Sequence, residues 1–131
     1  MITKVPAQGP YARMLAYSRL ISMGDDAWIS GCAPVDTEGE IIGPGEPGVQ
    51  ASACIARIRD ALEDGGFRLG DVVRLRIYVR SFEHIDEIAR AQFDAFESVR
   101  PTCTVIAAAG FIAPEMLVYM DADARRASPR P

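Results

Sequence analysis

Apolar residues recur along this chain with two different periods, and each stretch commits to one of them. Residues 71–80 alternate: Val73, Leu75, Ile77 and Val79 fall on one side, Arg74, Arg76 and Tyr78 on the other. Strand side chains switch faces at every residue, so this is a strand with one buried face. Residues 116–124 alternate in the same way, with Val118, Met120, Ala122 and Ala124 opposed to Tyr119, Asp121 and Asp123. Aspartates in an apolar strand are costly unless they meet water or a cation. The second face of this strand is therefore expected to line something polar. Residues 102–109 form a nearly continuous run of small and apolar side chains, the pattern of a strand covered on both faces. Gly110 and Pro114 interrupt it, so residues 102–124 read as a hairpin of two strands.

The helical period occupies two other stretches. In residues 49–64, Ala51, Cys54, Ile55, Ile58, Ala61 and Leu62 share one face, while Ser52, Arg59, Asp60 and Glu63 point away. Pro47 suits the first turn of this helix, and Gly65-Gly66 its left-handed end. A second helix follows Ser81 as N-cap, with a stripe of Ile85, Ile88, Ala89, Gln92 or Phe93, and Phe96. Arg100-Pro101 stops it, because the residue before a proline avoids helical geometry. Residues 17–23 and 27–30 are short strands around a Gly24-Asp25 turn, and residues 40–42 are a third. Pro6, Gly9 and Pro10 argue against a regular element in residues 1–15; residues 1–12 are expected to be a flexible arm and 125–131 a frayed tail. Three short strands, helix, strand, helix and two strands make an α+β domain spanning residues 1–131, a mixed sheet with two helices on one face.

Charge narrows the partners. The net charge is −4, and Arg125-Arg126 is the lone basic cluster. Nucleic-acid binding needs clustered Lys and Arg against phosphates, so no nucleic-acid partner is expected. Cys32, Cys54 and Cys103 are not paired by spacing and sit among small or apolar residues, which is the usage of a reducing cytoplasm. MITKVPAQGP has neither the apolar core nor the cleavage pattern of a signal peptide. No apolar run approaches the roughly 18 residues that a membrane span needs, so no membrane partner is expected. The single histidine, His84, lies in the first turn of a predicted helix and reads as a solvated residue. No Ser-His-Asp set can be assembled, and no His or Cys spacing matches a zinc site. GPGEPG lacks the lysine of a phosphate loop. No metal and no cofactor is expected.

Five segments in order resemble the Rid family of reactive-intermediate deaminases, the RidA-like proteins also known as YjgF or endoribonuclease L-PSP proteins. They are AYSRLISMGDDAWISG (residues 16–31), PVDTEGEIIGPGE (34–46), the helix-like 49–66, LGDVVRLRIYV (69–79), and RPTCTV followed by APEMLVYMDADA. The resemblance covers residues 11–124 and implies a chorismate-mutase-like fold with a six-stranded mixed sheet. It further implies a homotrimer whose sheets form a central barrel, with small-metabolite pockets in the subunit clefts. In that family an arginine grips the substrate carboxylate and a glutamate on the last strand positions water. A tyrosine before the first strand and an SG turn complete the pocket.

Carried over by position, the tyrosine is Tyr17 and the turn is Ser30-Gly31. The arginine position holds Cys103 and the glutamate position Tyr119. A thiol cannot grip a carboxylate as a guanidinium does, and a phenol with pKa about 10 is a poor base at neutral pH. The chain thus resembles the branches that lack the arginine, and standard 2-imino acid deamination is not expected of it. Two readings stand side by side. One is a deaminase-type hydrolase of a reactive imine, enamine or related intermediate. In it Tyr17, Ser30, Gly31, Thr104 and Tyr119 orient substrate and water, Cys103 is inert or reactive, and Arg76 binds an anionic group. The other is a non-catalytic module that senses a metabolite or binds a partner. Arg74 and Arg76 are equally expected to pair with Asp121 and Asp123.

Overall fold

The computed structural model describes residues 1–127. Its elements run β1 (Ile2–Pro6), α1 (Pro10–Leu15), β2 (Ser18–Met23), β3 (Asp26–Cys32), α2 (Pro47–Asp64), β4 (Val72–Val79), α3 (Ile85–Phe96), β5 (Thr102–Ala107) and β6 (Val118–Arg125). The strands make one six-stranded sheet in the order β1-β2-β3-β6-β4-β5. β4 and β5 are parallel and every other neighbouring pair is antiparallel, so the sheet is mixed as expected. A parallel pair needs a crossover, and α3 supplies it.

Residues 102–124 are therefore not a hairpin, because β4 separates β5 from β6. β6, whose inward residues Val118, Met120 and Ala122 are wholly buried, takes the middle of the sheet. The apolar run at β5 takes the edge instead, and most of its residues are exposed. Continuous apolarity there does not reflect cover by this chain's own helices. β4 also departs from strict alternation. Its register against β6 shifts between Val72 and Arg74, which turns Val73 outward and puts Val72 in the core. One extra residue in a strand reverses facing locally in this way.

The N-terminal residues expected as an arm form two elements. β1 pairs with β2, and Pro6 lies at the register shift where the edge strand ends. Pro10 occupies the first turn of α1, where its missing N–H costs nothing. The expected strand at 40–42 shrinks to a single Val35–Ile41 bridge. Arg125 and Arg126 are not frayed either. Arg125 closes β6 and pairs with Asp26 at 2.6 Å. Arg126 lies 4.2 Å above the Phe67 ring and donates to Gly24 O (2.8 Å) and Gly66 O (2.9 Å). The rest of the expected tail, 128–131, lies outside the described residues.

α2 covers one face of the sheet, and its entire expected stripe is buried against Leu20, Ile29, Leu75, Met120 and Ala122. Each of its large aliphatic residues contributes about 1.5–3 kcal/mol by leaving water. Gly66, at φ +82°, turns the chain out of the helix, and the Phe67 N–H returns to Leu62 O at 2.8 Å. Gln50 is fully buried in the same helix. Its amide donates to Gly43 O and Glu115 O and accepts from the Leu117 N–H, which ties two loops to α2. α3 packs on α2 through Ile88 and Phe96, with Ala91 and Ala95 beside them, while Ala89 and Phe93 are exposed. Its stripe is rotated from the expected one toward Ala91 and Ala95, small residues that let α3 approach α2. A short 3₁₀ turn at Phe82–His84 comes first, capped by Ser81 Oγ accepting from the Glu83 N–H.

The face of the sheet away from α2 carries the charges. Arg76 donates to Asp121 Oδ1 at 2.7 Å and to Asp123 Oδ2 at 3.2 Å, so one guanidinium serves both carboxylates. Arg74 lies opposite Asp123 in register but forms no ion pair among the described residues. Side-chain exposure is 36% for Arg76 and 21% for Asp121, which leaves the pair screened by solvent. A double-mutant cycle of Arg76→Met and Asp121→Leu should return a coupling of about 1 kcal/mol by urea unfolding, not the 3–5 of a dry pair. Strict additivity would remove the pairing from the stability of the sheet.

Candidate functional site

Gly31 sits at the irregular end of β3, where the register against β6 shifts between Ile29 and Cys32. The Tyr119 ring lies directly on it. A Cβ at position 31 would overlap the Tyr119 ring and hydroxyl. Glycine is needed there for close approach, not for an unusual φ. Two more rings flank Tyr119, Tyr78 at 6.1 Å and Phe111 at 6.3 Å between centroids. Together with Ala108, Gly110 and Asp121 these residues wall a cleft of about 430 Å³. A second depression of similar volume, between the start of α2 and α3, mixes Glu46, Glu87 and Asp94 with Arg90 and gathers no comparable set of rings.

Each wall residue is placed by identifiable contacts. Tyr78 and Tyr119 are cross-strand neighbours on the outward faces of β4 and β6. Phe111 comes from the loop after β5. Arg80 fixes that loop by donating to Met116 O (2.7 Å) and Ala113 O (3.1 Å), with its guanidinium 5.4 Å from the Phe111 ring. Asp121 is fully engaged, since Arg76 holds Oδ1 and the Tyr78 hydroxyl donates to Oδ2 at 2.9 Å.

The acid–base character of the cleft follows. Burial, and then the neighbouring Cys32, Tyr17 and Asp121, push the Tyr119 phenol above its usual value. Burial and the bond to Asp121 do the same to Tyr78. Both phenols stay protonated at neutral pH; Tyr78 spends its O–H on Asp121, and Tyr119 offers a hydrogen bond, not a base.

The residues singled out from sequence do not all meet. Gly31 and Tyr119 are in contact, whereas Tyr17 immediately precedes β2, is 37% exposed, and is not among the residues that wall the cleft. Ser30 joins them in the chain but is occupied, its hydroxyl donating to Ser18 O at 2.6 Å and its carbonyl accepting from Cys32 Sγ. Ser30-Gly31 is thus part of β3 and not a free turn. Arg76 reaches the cleft only through Asp121. Thr104 is exposed on β5 beside Arg76, on the same open face. Cys103 is level with Leu75, so it belongs to the opposite face. It is exposed, against the expectation of a small buried residue, and what shielding it has raises its thiol pKa. β4 keeps it about 10 Å from β6. Within one protomer Cys103 and Tyr119 do not form a joint site. Phe111 gave no signal in sequence, because a loop residue has no period to betray it. Tyr78 did, through its shared parity with Arg76.

The endoribonuclease L-PSP family profile matches residues 7–126. The chain belongs to that family, the Rid family of its sequence motifs. Among solved structures, the YjgF/YER057c/UK114-family protein Rv2704 of Mycobacterium tuberculosis superposes with a TM-score of 0.87 at 28% identity, covering 96% of this chain and 100% of that one. An uncharacterised protein of Streptomyces coelicolor is 25% identical over 126 residues, 95% of this chain and 92% of its own. A RutC family protein of Pyrococcus abyssi is 29% identical over 86 residues, 65% of this chain and 67% of its own. Among the described residues no helix is long and apolar enough to cross a membrane.

The Gly31–Tyr119 contact in this Rid-family chain can be tested directly. Gly31→Ala should cost about 2 kcal/mol by overpacking, measured by denaturant unfolding. Adding Tyr119→Ala should remove that overpacking, so the double variant should be less destabilised than the sum of the single changes.

Proposed function

We propose that the protein assembles as a homotrimer and binds a small metabolite in clefts between subunits, where it acts as a hydrolase on a reactive imine, enamine or related intermediate. The observation that carries this reading is the aromatic cleft beside the uncovered apolar strand β5. Ala108, Gly110 and Phe111, which follow β5, are part of its wall. A second subunit packed on β5 would enclose the cleft and add residues to it. It would also bring Cys103 or Thr104 toward a neighbouring Tyr119, which no single protomer does.

In such a site the chain's own residues orient more than they transfer protons. The protonated phenol of Tyr119 donates to a carbonyl-like or imine-adjacent oxygen, Tyr78 keeps its O–H on Asp121, and Tyr17 and the Gly31 backbone border the bound molecule. Asp121 is committed to Arg76 and Tyr78, so it is no free base. Ordinary 2-imino acid deamination is expected to be weak, because a charge-assisted bond to the carboxylate is missing at Cys103. Endoribonuclease activity, carried by the family's name, forms no part of the proposal: the net charge is −4, and Arg76, Arg125 and Arg126 are each paired with aspartate. Three free cysteines fit a reducing cytoplasm.

The second reading is a non-catalytic module that senses a metabolite or docks on a partner. One observation favours it. Of the titratable groups that wall the cleft, Asp121 is engaged by Arg76 and Tyr78, and Tyr78 and Tyr119 are pushed up in pKa.

Light scattering across a concentration series should give a trimer; a monomer throughout would remove the shared cleft. A coupled assay that generates 2-iminopropanoate with an amino-acid oxidase should show hydrolysis about one to two decades slower than an arginine-bearing homologue, the value of one charge-assisted bond. Cys103→Arg should recover about a decade of that loss if position 103 faces the bound molecule. Equal turnover by the unmodified protein would mean that another group holds the carboxylate.

A further inference from the structure

The wall of the cleft holds no charge that a bound molecule could claim. Asp121 is its one carboxylate, and both oxygens are taken. Arg76 donates to Oδ1 at 2.7 Å and the Tyr78 hydroxyl to Oδ2 at 2.9 Å. In register the two aspartates of β6 face two arginines of β4, Asp121 opposite Arg76 and Asp123 opposite Arg74. Two further arginines come near without lining the cleft. Arg80 gives two donors to Met116 O and Ala113 O beside the Phe111 ring. Arg19 donates to Cys32 Sγ at 3.6 Å. A guanidinium outside the wall cannot form the two-pronged bond that holds a carboxylate.

What the wall offers is flat and neutral. Tyr78, Tyr119 and Phe111 form a row of rings, with successive centroids 6.1 and 6.3 Å apart. Gly31 and Gly110 add backbone without side chains. A Cβ at position 110 would meet no atom within 4 Å, so space remains there for a ligand to fill. Tyr78 spends its O–H on Asp121, which leaves the Tyr119 hydroxyl as the uncommitted side-chain donor of the wall. The volume, about 430 Å³, lies within the range of small-molecule sites, about 300–1,000 Å³.

The piece that a second subunit would add keeps this balance. β5 offers two hydroxyls, a thiol and aliphatic side chains, and no ion. Shielding raises the pKa of the Cys103 thiol, so it stays neutral as well. An ion brought into such a cleft gives up its hydration and meets no free counter-charge. A cation would be drawn to the ring faces, but the carboxylate that could complete a cage for it already answers Arg76. A planar, uncharged ring loses little hydration and gains contact with three other rings.

We propose that the cleft selects an uncharged, planar ring compound with an acceptor oxygen, which lies along the Tyr119, Phe111 and Tyr78 rings and accepts from the Tyr119 hydroxyl. This selectivity rests on reading the cleft as a metabolite site and names the class of molecule that the site prefers. Ionised acids and organic cations of the same shape are disfavoured, because neither finds a free partner in the wall.

The test is calorimetric titration of the full chain, in its solution assembly, at neutral pH and physiological salt. Benzamide, benzoate and benzamidinium share one planar shape and differ in charge. Benzamide should bind at least about tenfold more tightly than either ion. Tyr119→Phe keeps the ring and should weaken benzamide by about fivefold while leaving toluene, which has no acceptor, unchanged. Gly110→Leu fills the open space and should abolish benzamide binding without lowering the thermal midpoint. Unaltered binding in Gly110→Leu places benzamide elsewhere and overturns the proposal. Equal or tighter binding of benzoate or benzamidinium, lost in Gly110→Leu, overturns the uncharged assignment and leaves the cleft a metabolite site. No binding of any probe up to its solubility overturns both. The three-probe comparison on the unmodified protein decides even if a variant fails to fold. A monomer that still prefers benzamide keeps the selectivity and removes the trimeric reading.

Discussion

Hydrogen bonds from β6 to β3 on one side and β4 on the other hold its residues in strict alternation. Val118, Met120, Ala122 and Ala124 are driven under α2, where each is buried. Tyr119, Asp121 and Asp123 are thereby forced onto the open face, where each needs a partner. Arg76 answers both aspartates, Tyr78 shares Asp121, and Tyr119 lies on Gly31, which has no Cβ to block its ring. A one-residue slip of β6 would bury two carboxylates and expose three wholly buried residues, so the register is strongly specified. The cleft inherits that precision, because Tyr119 and Asp121 belong to this strand and Tyr78 to its partner.

Periodic stretches were the legible part of the sequence. The buried face of α2 and the inward face of β6 follow from spacing alone, since burial selects apolar residues at 3.6 or 2 positions apart. Several features carried no period. Val73 looks inward by parity and is turned out by a bulge, a local backbone event that hydrophobicity does not record. β5 looks like a central strand because it is apolar throughout, yet it stands at the edge. Pro6 and Pro10 looked like breakers, yet they lie where a proline fits, at the end of an edge strand and in a first helical turn. Of the candidate site, Gly31 and Tyr119 were placed together by resemblance, while Phe111 was missed. It sits on a loop, where nothing in the pattern sets one aromatic residue apart from another.

The cleft holds one phenol with an uncommitted O–H, Tyr119, and its carboxylate, Asp121, is already engaged. On the proposed function, that balance would orient a bound molecule without committing the protein to a fast proton transfer. Hydrolysis of an intermediate that already reacts with water needs little more than orientation, since holding reactants in place can by itself lower a barrier substantially. Selectivity then rests on what the walls accept. On the proposed function, Cys103 and Tyr119 at the positions that the resemblance gives to an arginine and a glutamate would change which molecules can stay, while the fold is kept.

The two edges of the sheet are not alike. β1 carries the basic Lys4 and ends in Pro6, which has no N–H to offer a neighbouring strand. β5 runs from Thr102 to Ala107 without a charge or a proline. Open-ended strand-to-strand stacking requires an acceptor at one edge and a donor at the other, repeated without limit. With one edge blunted, chain-to-chain pairing can begin at β5 but has nowhere to continue. Edge-to-edge pairing through β5 would stop there and not propagate into fibres. The apolar strand can therefore stay bare in each newly made chain without opening a route to amyloid-like growth.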